Sequence, residues 1–314
     1  MGLQQSDIPL LFLDYVGKPL RQAVHLSGVS SFRIGGIADF FFEAFSTSEF
    51  LKAIGFAREY RLPYYVIGGG YNLLFDDDGY RGLIVKNSLK GIKRKGNLEI
   101  EVASGVSLKE LLQFCLRESL SGLEFLAGIP GTVGGAVFGN AGAFNQSLGT
   151  FLKKAVIIDT KIKEVVVDQE YFKFGYRQSF LKKKHVFLLK VVFRLFTGSK
   201  NKIENKICEN LKKREKKHPP QDVACAGSYF KNPVFPDGRK VAAAALLDQV
   251  GAKKRKVGGA FVHPDHANFI TNLDNASAKD VLQLAFELKK SVREKFGVEL
   301  EEEVIFLSAD SSMP

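Results

Sequence analysis

Residues 127–144 read AGIPGTVGGAVFGNAGAF, and six of these eighteen positions are glycine. Glycines this dense let backbone N–H groups approach an anion with no Cβ in the way, as a nest for a diphosphate requires. A second stretch, GGGYNLL at 68–74, follows the apolar run YYVI at 64–67, so a buried strand feeds a glycine loop there as well. One triple glycine alone reads equally well as a tight turn. Neither stretch matches GxGxxG, and no GxxxxGKS or GxxxxGKT occurs, which excludes the Rossmann and P-loop frameworks. Two such segments, each beside a strand, point to a dinucleotide-sized ligand on a different fold.

The surrounding chain has three textures. FRIGGIADFFFEAF at 32–45 reads as a turn and a strand, and STSEFLKAIGFAREYRL at 46–62 as a capped helix. Residues 91–196 are strand-rich, with β-branched or alternating runs in LEIEVASGV, KKAVIIDT, KEVVVDQE and HVFLLKVVFRL, and one helix at SLKELLQFCLRESL. A charged helix follows FTGS at 196–199. VAAAALLDQVGA at 241–252 is read as helix and AFVHPDHANFITN at 260–272 as strand and turn. Residues 277–297 form an amphipathic helix between capping Ser277 and terminal Gly297, and VELEEEVIFL at 298–307 is a closing strand. Strands and helices are partly segregated, so the fold class is α+β rather than doubly wound. There is no internal repeat and no low-complexity linker.

With 314 residues the chain suits roughly two domains. No apolar run reaches the roughly 18 residues a membrane span needs. IPLLFLDYVG at 8–17 lacks a basic leader, so no secretory signal is expected, while MGLQQS fits a short myristoylation pattern that often arises by chance. Cys115, Cys208 and Cys225 are odd in number and widely spaced, which argues for a reducing, cytoplasmic setting and against a disulfide framework or a metal site. The net charge of +11 calls for anionic partners, either nucleic acid or phosphorylated small molecules. The excess gathers in KGIKRKG at 90–96, LKKKH at 181–185 and LKKREKKH at 211–218, the first two reading as solvated surface. No aromatic interleaving, helix-turn-helix, zinc finger or RNP pattern supports nucleic acid.

CAGSYFKNP at 225–233 taken alone is a turn: Gly227 gives backbone freedom, Phe230 anchors, and Asn232-Pro233 punctuates. In company it says more. GGGYNLL, GIPGTVGGAVFGNAGAF, FGYRQSF, AGSYFKNP, HANFITN and GVELEEEV, in this order, resemble the UDP-N-acetylenolpyruvoylglucosamine reductase family over residues 27–307. Its members are flavoenzymes that complete UDP-N-acetylmuramate in bacterial cell-wall synthesis. The resemblance implies a vanillyl-alcohol-oxidase-like (PCMH-type) FAD-binding fold with a C-terminal α+β substrate-binding domain. The expected division is an N-terminal extension at 1–26, an FAD-binding region at 27–196 with subdomains at about 27–88 and 89–196, a substrate-binding domain at 200–307, and a tail at 308–314. The short stretch between YRQSF and AGSYFKNP is similar to the subclass without an extra tyrosine-bearing loop.

The family's chemistry implies FAD and NADPH as cofactors. NADPH reduces the flavin and leaves; flavin N5 then passes hydride to the enolpyruvyl group of UDP-N-acetylglucosamine-enolpyruvate, and a proton completes the product. Matched residue by residue, Arg177 stabilises the charge that develops on the substrate carboxylate, a task suited to a permanently charged, bidentate guanidinium. Ser228 matches the proton donor, acting on a strongly basic, enolate-like carbon. Glu303 matches the family's glutamate; beside that charge it must be protonated or paired, so a raised pKa is expected. Strand alternation sets Glu301 and Glu303 on one face and Glu302 on the other, and the neighbour Val304 favours Glu303.

By the same resemblance FAD contacts fall on Gly68, Gly69, Gly70, Tyr71, Asn72 and Leu73. The second set is Gly128, Ile129, Pro130, Gly131, Thr132, Gly134, Gly135, Asn140 and Gly142. Arg214, Lys217, Lys231 and Asn232 are expected to hold the substrate, and His266 is expected to be structural. Tyr71 departs from the Ser or Thr usual in the family, which puts one phosphate contact in doubt. A monomer acting on a small molecule is expected, with no nucleic-acid or membrane partner. The rival readings are another FAD-dependent oxidase or dehydrogenase of the same fold, which would not need GSYFKNP and the late glutamate together, and a basic nucleic-acid-binding protein, which would leave the glycine loops idle.

Overall fold

In the computed structural model, residues 4–183, 186–235 and 238–310 are described. Part of MGLQQS, Lys184 and His185 of the second basic run, and 311–314 of the expected tail lie outside them. The α-helices among the described residues are α1 (Ile8–Val16), α2 (Thr47–Glu59), α3 (Leu108–Arg117), α4 (Val133–Phe138), α5 (Lys200–Glu215), α6 (Ala243–Gln249) and α7 (Ala278–Phe296). Ser46, Ser107, Ser199 and Ser277 start α2, α3, α5 and α7, each hydroxyl accepting the N–H three residues on. Glu110 and Asp280 return the bond to the capping residue and complete capping boxes.

The first layer is a four-stranded sheet in the order Arg21–His25, Ile37–Ala44, Tyr80–Asn87, Tyr64–Ile67, antiparallel at the first pair and parallel at the others. Its parallel strands are buried, apolar runs, as parallel pairing demands. Phe12 of α1 meets both Phe42 of the sheet and Phe56 of α2 edge to face, with centroids 5.0 and 5.1 Å away. Residues 8–25, set apart in the sequence as an extension, thus supply a helix and an edge strand to this layer.

The second layer is antiparallel, ordered Glu164–Asp168, Leu152–Ile158, Phe187–Arg194, Glu99–Ala103, Ile92–Arg94. α3 and α4 cover it through Leu111, Val133 and Val137, packed on Ile100, Val102, Val191 and Phe193. The basic run at 90–96 is an edge hairpin whose Arg94 pairs with Glu118 at 2.9 Å, a solvated surface as read. The third layer is a small antiparallel sheet (Lys256–Val257, Ala260–Val262, Ile270–Asn272) under α6 and α7.

Two readings of the sequence are corrected. α4 is a second helix in the strand-rich region, and Thr132 caps it by accepting the Gly135 N–H, which offsets the weak helix propensity of its glycines. The closing strand covers only Ile305–Leu307. Before it the chain is irregular, because Glu301 and Glu303 bond the backbone of the 229–231 loop instead of a continuous ladder. The face alternation survives: Glu301 reaches Lys231 at 2.8 Å, whereas Glu302 reaches Lys289 at 2.9 Å.

The layers are bolted together around one region. Strand Ile305–Leu307 pairs in parallel with Leu73–Phe75, a two-stranded sheet whose Leu73 and Phe75 pack on Phe41 and Ile84 of the first layer. The Ser31 hydroxyl donates to the Cys225 carbonyl at 2.7 Å, and the Asn272 amide donates to the Phe32 carbonyl at 3.1 Å. The Asp77 carboxylate accepts the N–H groups of Ala278 and Lys279 at 2.7 and 3.2 Å, so a first-layer loop caps α7. Asp77→Ala is therefore expected to cost about 1–2 kcal/mol, read as a lower urea midpoint with unchanged slope.

Candidate active site

The two glycine stretches face one another. A Cβ on Gly68 would stand 2.6 Å from Thr132 Oγ1, and one on Gly69 would stand 3.9 Å from the Gly131 Cα. Gly70, at φ +71°, lies so close to the Val29 carbonyl that a Cβ would come within 2.0 Å of its oxygen. Among the described residues, no N–H of residues 68–72 is taken up by the protein. A run of unclaimed N–H groups opposite a second glycine segment is a cradle for a diphosphate. Gly131 (φ +136°) has open space where its Cβ would lie, and Gly135 is exposed. Tyr71 is 43 % exposed and lays its ring on Gly69, so it covers the loop where a small hydroxyl was expected to donate.

Other expected cofactor residues have internal duties. Leu73 is buried at the start of its strand. The Ile129 N–H donates to Leu126, and that of Gly134 to Ser104 at 2.7 Å, while Pro130 is exposed. Asn140 is buried with both ends of its amide engaged: Nδ2 donates to the Gly175 carbonyl at 2.8 Å and Oδ1 accepts from Gly149 at 3.0 Å. It braces the turn that carries Arg177.

That turn, Gly175–Gln178, holds Arg177 at φ +55°, an uncommon state for a bulky residue. The Arg177 side chain donates from Nη1 to the Gly142 carbonyl at 3.1 Å, and its Nε lies 2.5 Å from Glu303 Oε1. Nε is buried against the Glu303 carboxyl, with no well-aligned acceptor among the described residues. Burial pushes the Glu303 carboxyl above its ordinary range, against the opposing pull of Arg177, Lys182 and Lys231. Glu303 is tied to the first glycine loop, since Asn72 Nδ2 donates to its carbonyl at 2.9 Å. Its own N–H donates to the Tyr229 carbonyl at 2.7 Å. Ser228, one residue earlier, is therefore next to the glutamate strand by main-chain pairing. Its half-exposed hydroxyl makes no hydrogen bond among the described residues.

The expected substrate residues divide. Lys217 is exposed beyond α5. Arg214 is pinned beneath the second glycine stretch, donating to Ala127 and Phe125 at 2.7 and 3.3 Å, with Nη1 left over. Lys231 pairs with Glu301. Asn232 Oδ1 accepts the first N–H of α6 at 2.9 Å, so part of its amide is structural. His266 packs edge to face on His218 and Phe269, with burial lowering its pKa, as befits a structural histidine. Burial and nearby Arg214 hold His218 down at about 4, so both rings are neutral at pH 7.

The sequence missed three groups. Tyr176 receives the Asn232 N–H at 3.2 Å and has Lys240 Nζ 2.9 Å from its ring centre. Nothing in the sequence marked Lys240, which follows a surface turn. Lys182 contradicts the reading of its run as solvated: burial lowers its pKa, and it helps line a cavity of about 330 Å³ with Tyr65, Phe138, Lys231 and Glu303. The only sequence cue was its place shortly after Arg177. No helix among the described residues is long and apolar enough to cross a membrane, and no group of three His, Cys, Asp or Glu is placed to hold a metal.

Comparison with known proteins gives this geometry a class. Residues 38–161 match an FAD binding domain, and residues 218–307 match the C-terminal domain of UDP-N-acetylenolpyruvoylglucosamine reductase. Fold and site together define an FAD-dependent oxidoreductase of the PCMH-type fold. The UDP-N-acetylenolpyruvoylglucosamine reductase of Clostridium botulinum strain Eklund 17B is 36% identical over 309 residues, covering 98% of this chain and 99% of its own. That of Chlamydia muridarum is 38% identical over 287 residues, 91% of this chain and 93% of its own. The crystal structure of the Thermus caldophilus reductase superposes with a TM-score of 0.77 at 32% identity, covering 91% of this chain and 99% of that one. The chain belongs to the UDP-N-acetylenolpyruvoylglucosamine reductase family. The alternative of another oxidase or dehydrogenase of the same fold is not favoured.

Proposed function

We propose that this enzyme reduces the enolpyruvyl group of UDP-N-acetylglucosamine-enolpyruvate to give UDP-N-acetylmuramate, with Arg177, Glu303 and Ser228 as its reacting groups. The observation that carries the assignment is the half-buried Arg177–Glu303 contact, held between the glycine cradle and the Ser228 loop. The free N–H groups of 68–72 and the open backbone at Gly131 fit the diphosphate of FAD. FAD, when bound, supplies the hydride it has received from NADPH.

The protein's own groups do the rest. Arg177 sets its guanidinium charge toward the substrate carboxylate, where negative charge grows as the alkene is reduced. Burial raises the Glu303 pKa and so favours the neutral carboxyl, the form that can stand beside that charge with less repulsion. Ser228 gives its proton to the carbon next to the carboxylate, and its hydroxyl is free of competing bonds. Lys217, the spare amino group of Arg214, Lys231 and the remaining donors of Asn232 serve the nucleotide diphosphate and sugar. The reading keeps an FAD-binding region at 27–196 and a substrate-binding domain at 200–307. The uncombined cysteines suit a cytoplasmic setting, and a monomer acting on a small molecule completes the reading. Since protonated Glu303 is the working form, turnover is expected to decline as pH rises through its elevated pKa.

An anaerobic absorption trace tests the reading. NADPH is expected to bleach the flavin band, and the enolpyruvyl sugar nucleotide to restore it mole for mole. A band that bleaches and stays bleached would reject the substrate.

A further inference from the structure

We propose that Lys182 is a positioning residue for the reduction, holding the Arg177 turn and the charge balance at Glu303. The inference rests on the roles proposed for those two residues. Lys182 Nζ donates to the Arg177 carbonyl at 2.8 Å. Arg177 occupies the left-handed region, a conformation that a bulky residue keeps only where its surroundings enforce it. The ammonium is one restraint and the Asn140 brace on Gly175 is the other. Lys182 also stands over the Phe138 ring, 5.5 Å from its centroid, while Ser179 fixes that segment by donating to the Phe138 carbonyl at 2.7 Å. A half-buried lysine used only for packing could give way to an apolar residue at lower desolvation cost. Here its charge opens onto the same cavity as Glu303.

The groups acting on Glu303 are Arg177, Lys182 and Lys231, with Lys240 coupled to it across the Tyr176 ring. Each cation favours the carboxylate, and burial opposes them. Removing the Lys182 charge therefore moves the Glu303 pKa further up, and releasing the Arg177 carbonyl loosens the turn. Lys182→Met does both. Lys182→Arg keeps the charge and a donor.

The experiment follows the infrared carbonyl band of protonated Glu303, identified as the band absent from Glu303→Gln, as holoenzyme is titrated. It is paired with single-turnover reoxidation of reduced enzyme by the enolpyruvyl sugar nucleotide. For Lys182→Met the midpoint is expected about one pH unit above wild type, with reoxidation slowed about 10–100-fold. Lys182→Arg is expected to return the midpoint to wild type and to recover most of the rate. An unmoved midpoint in Lys182→Met, or equal losses in both variants, would overturn the proposal while leaving the Glu303 role intact. If wild type and Glu303→Gln lose reoxidation at the same pH, the Glu303 assignment fails and this inference with it.

Discussion

Ser228→Ala is expected to leave NADPH bleaching of the flavin near the wild-type rate and to slow reoxidation by the enolpyruvyl substrate about 10²–10⁴-fold. That range is the usual contribution of a positioned proton donor. The split follows from the geometry: the Ser228 hydroxyl braces nothing among the described residues, so its loss removes a reagent and not a support. The loop itself is held by other atoms. Tyr229 and Phe230 donate their N–H groups to the Asn268 carbonyl and side chain at 2.8 and 2.9 Å, and the Asn268 amide donates back to Phe230 at 2.8 Å. Stopped-flow absorbance at the flavin band measures both half-reactions in one preparation. Equal loss in the two would reassign Ser228 to flavin binding or loop structure.

Gly70→Ala is expected to have the largest effect on folding, about 2–4 kcal/mol, because two faults coincide. An L side chain is strained at φ +71°, and its Cβ would meet the Val29 carbonyl oxygen at 2.0 Å, so backbone must move on one side or the other. The same loop carries the unclaimed N–H groups, and flavin retention should fall with stability. Gly131→Ala is the control. Its φ of +136° also strains a side chain, yet no atom lies within 4 Å of the added methyl. A smaller loss of stability, about 1–2 kcal/mol, should accompany its weaker flavin binding. Urea unfolding of the apoprotein and FAD titration separate the two quantities. Equal stability in the two variants would contradict the close approach at Val29.

Much of the fold was legible because its signals are local. The serine caps of α2 and α7 and the alternating runs of the second layer are set within a few residues. The glycine cradle was legible for a similar reason, since density of glycine is itself the requirement. Pairings across great separations were not. Nothing near Asp77 announces that it caps a helix 201 residues away, and nothing near Asn140 shows that its amide braces the Arg177 turn. Lys182 was misread because a run of like charges says solvent, while the main-chain path turns one member inward. α4 was missed because a lone threonine cap outweighs composition only when the following residues find a sheet to cover.

The pairing of Ile305–Leu307 with Leu73–Phe75, and of Asn72 with Glu303 across 231 residues, has a consequence for synthesis. A chain emerging from its N-terminus completes both flavin loops when less than half of it has been made, and domains fold as they emerge. Glu303 comes last. A nascent chain that has completed the second layer at Arg194 holds both glycine loops but not yet Glu303, so termination between the end of that layer and Glu303 is expected to leave a protein that can take up flavin and cannot turn over.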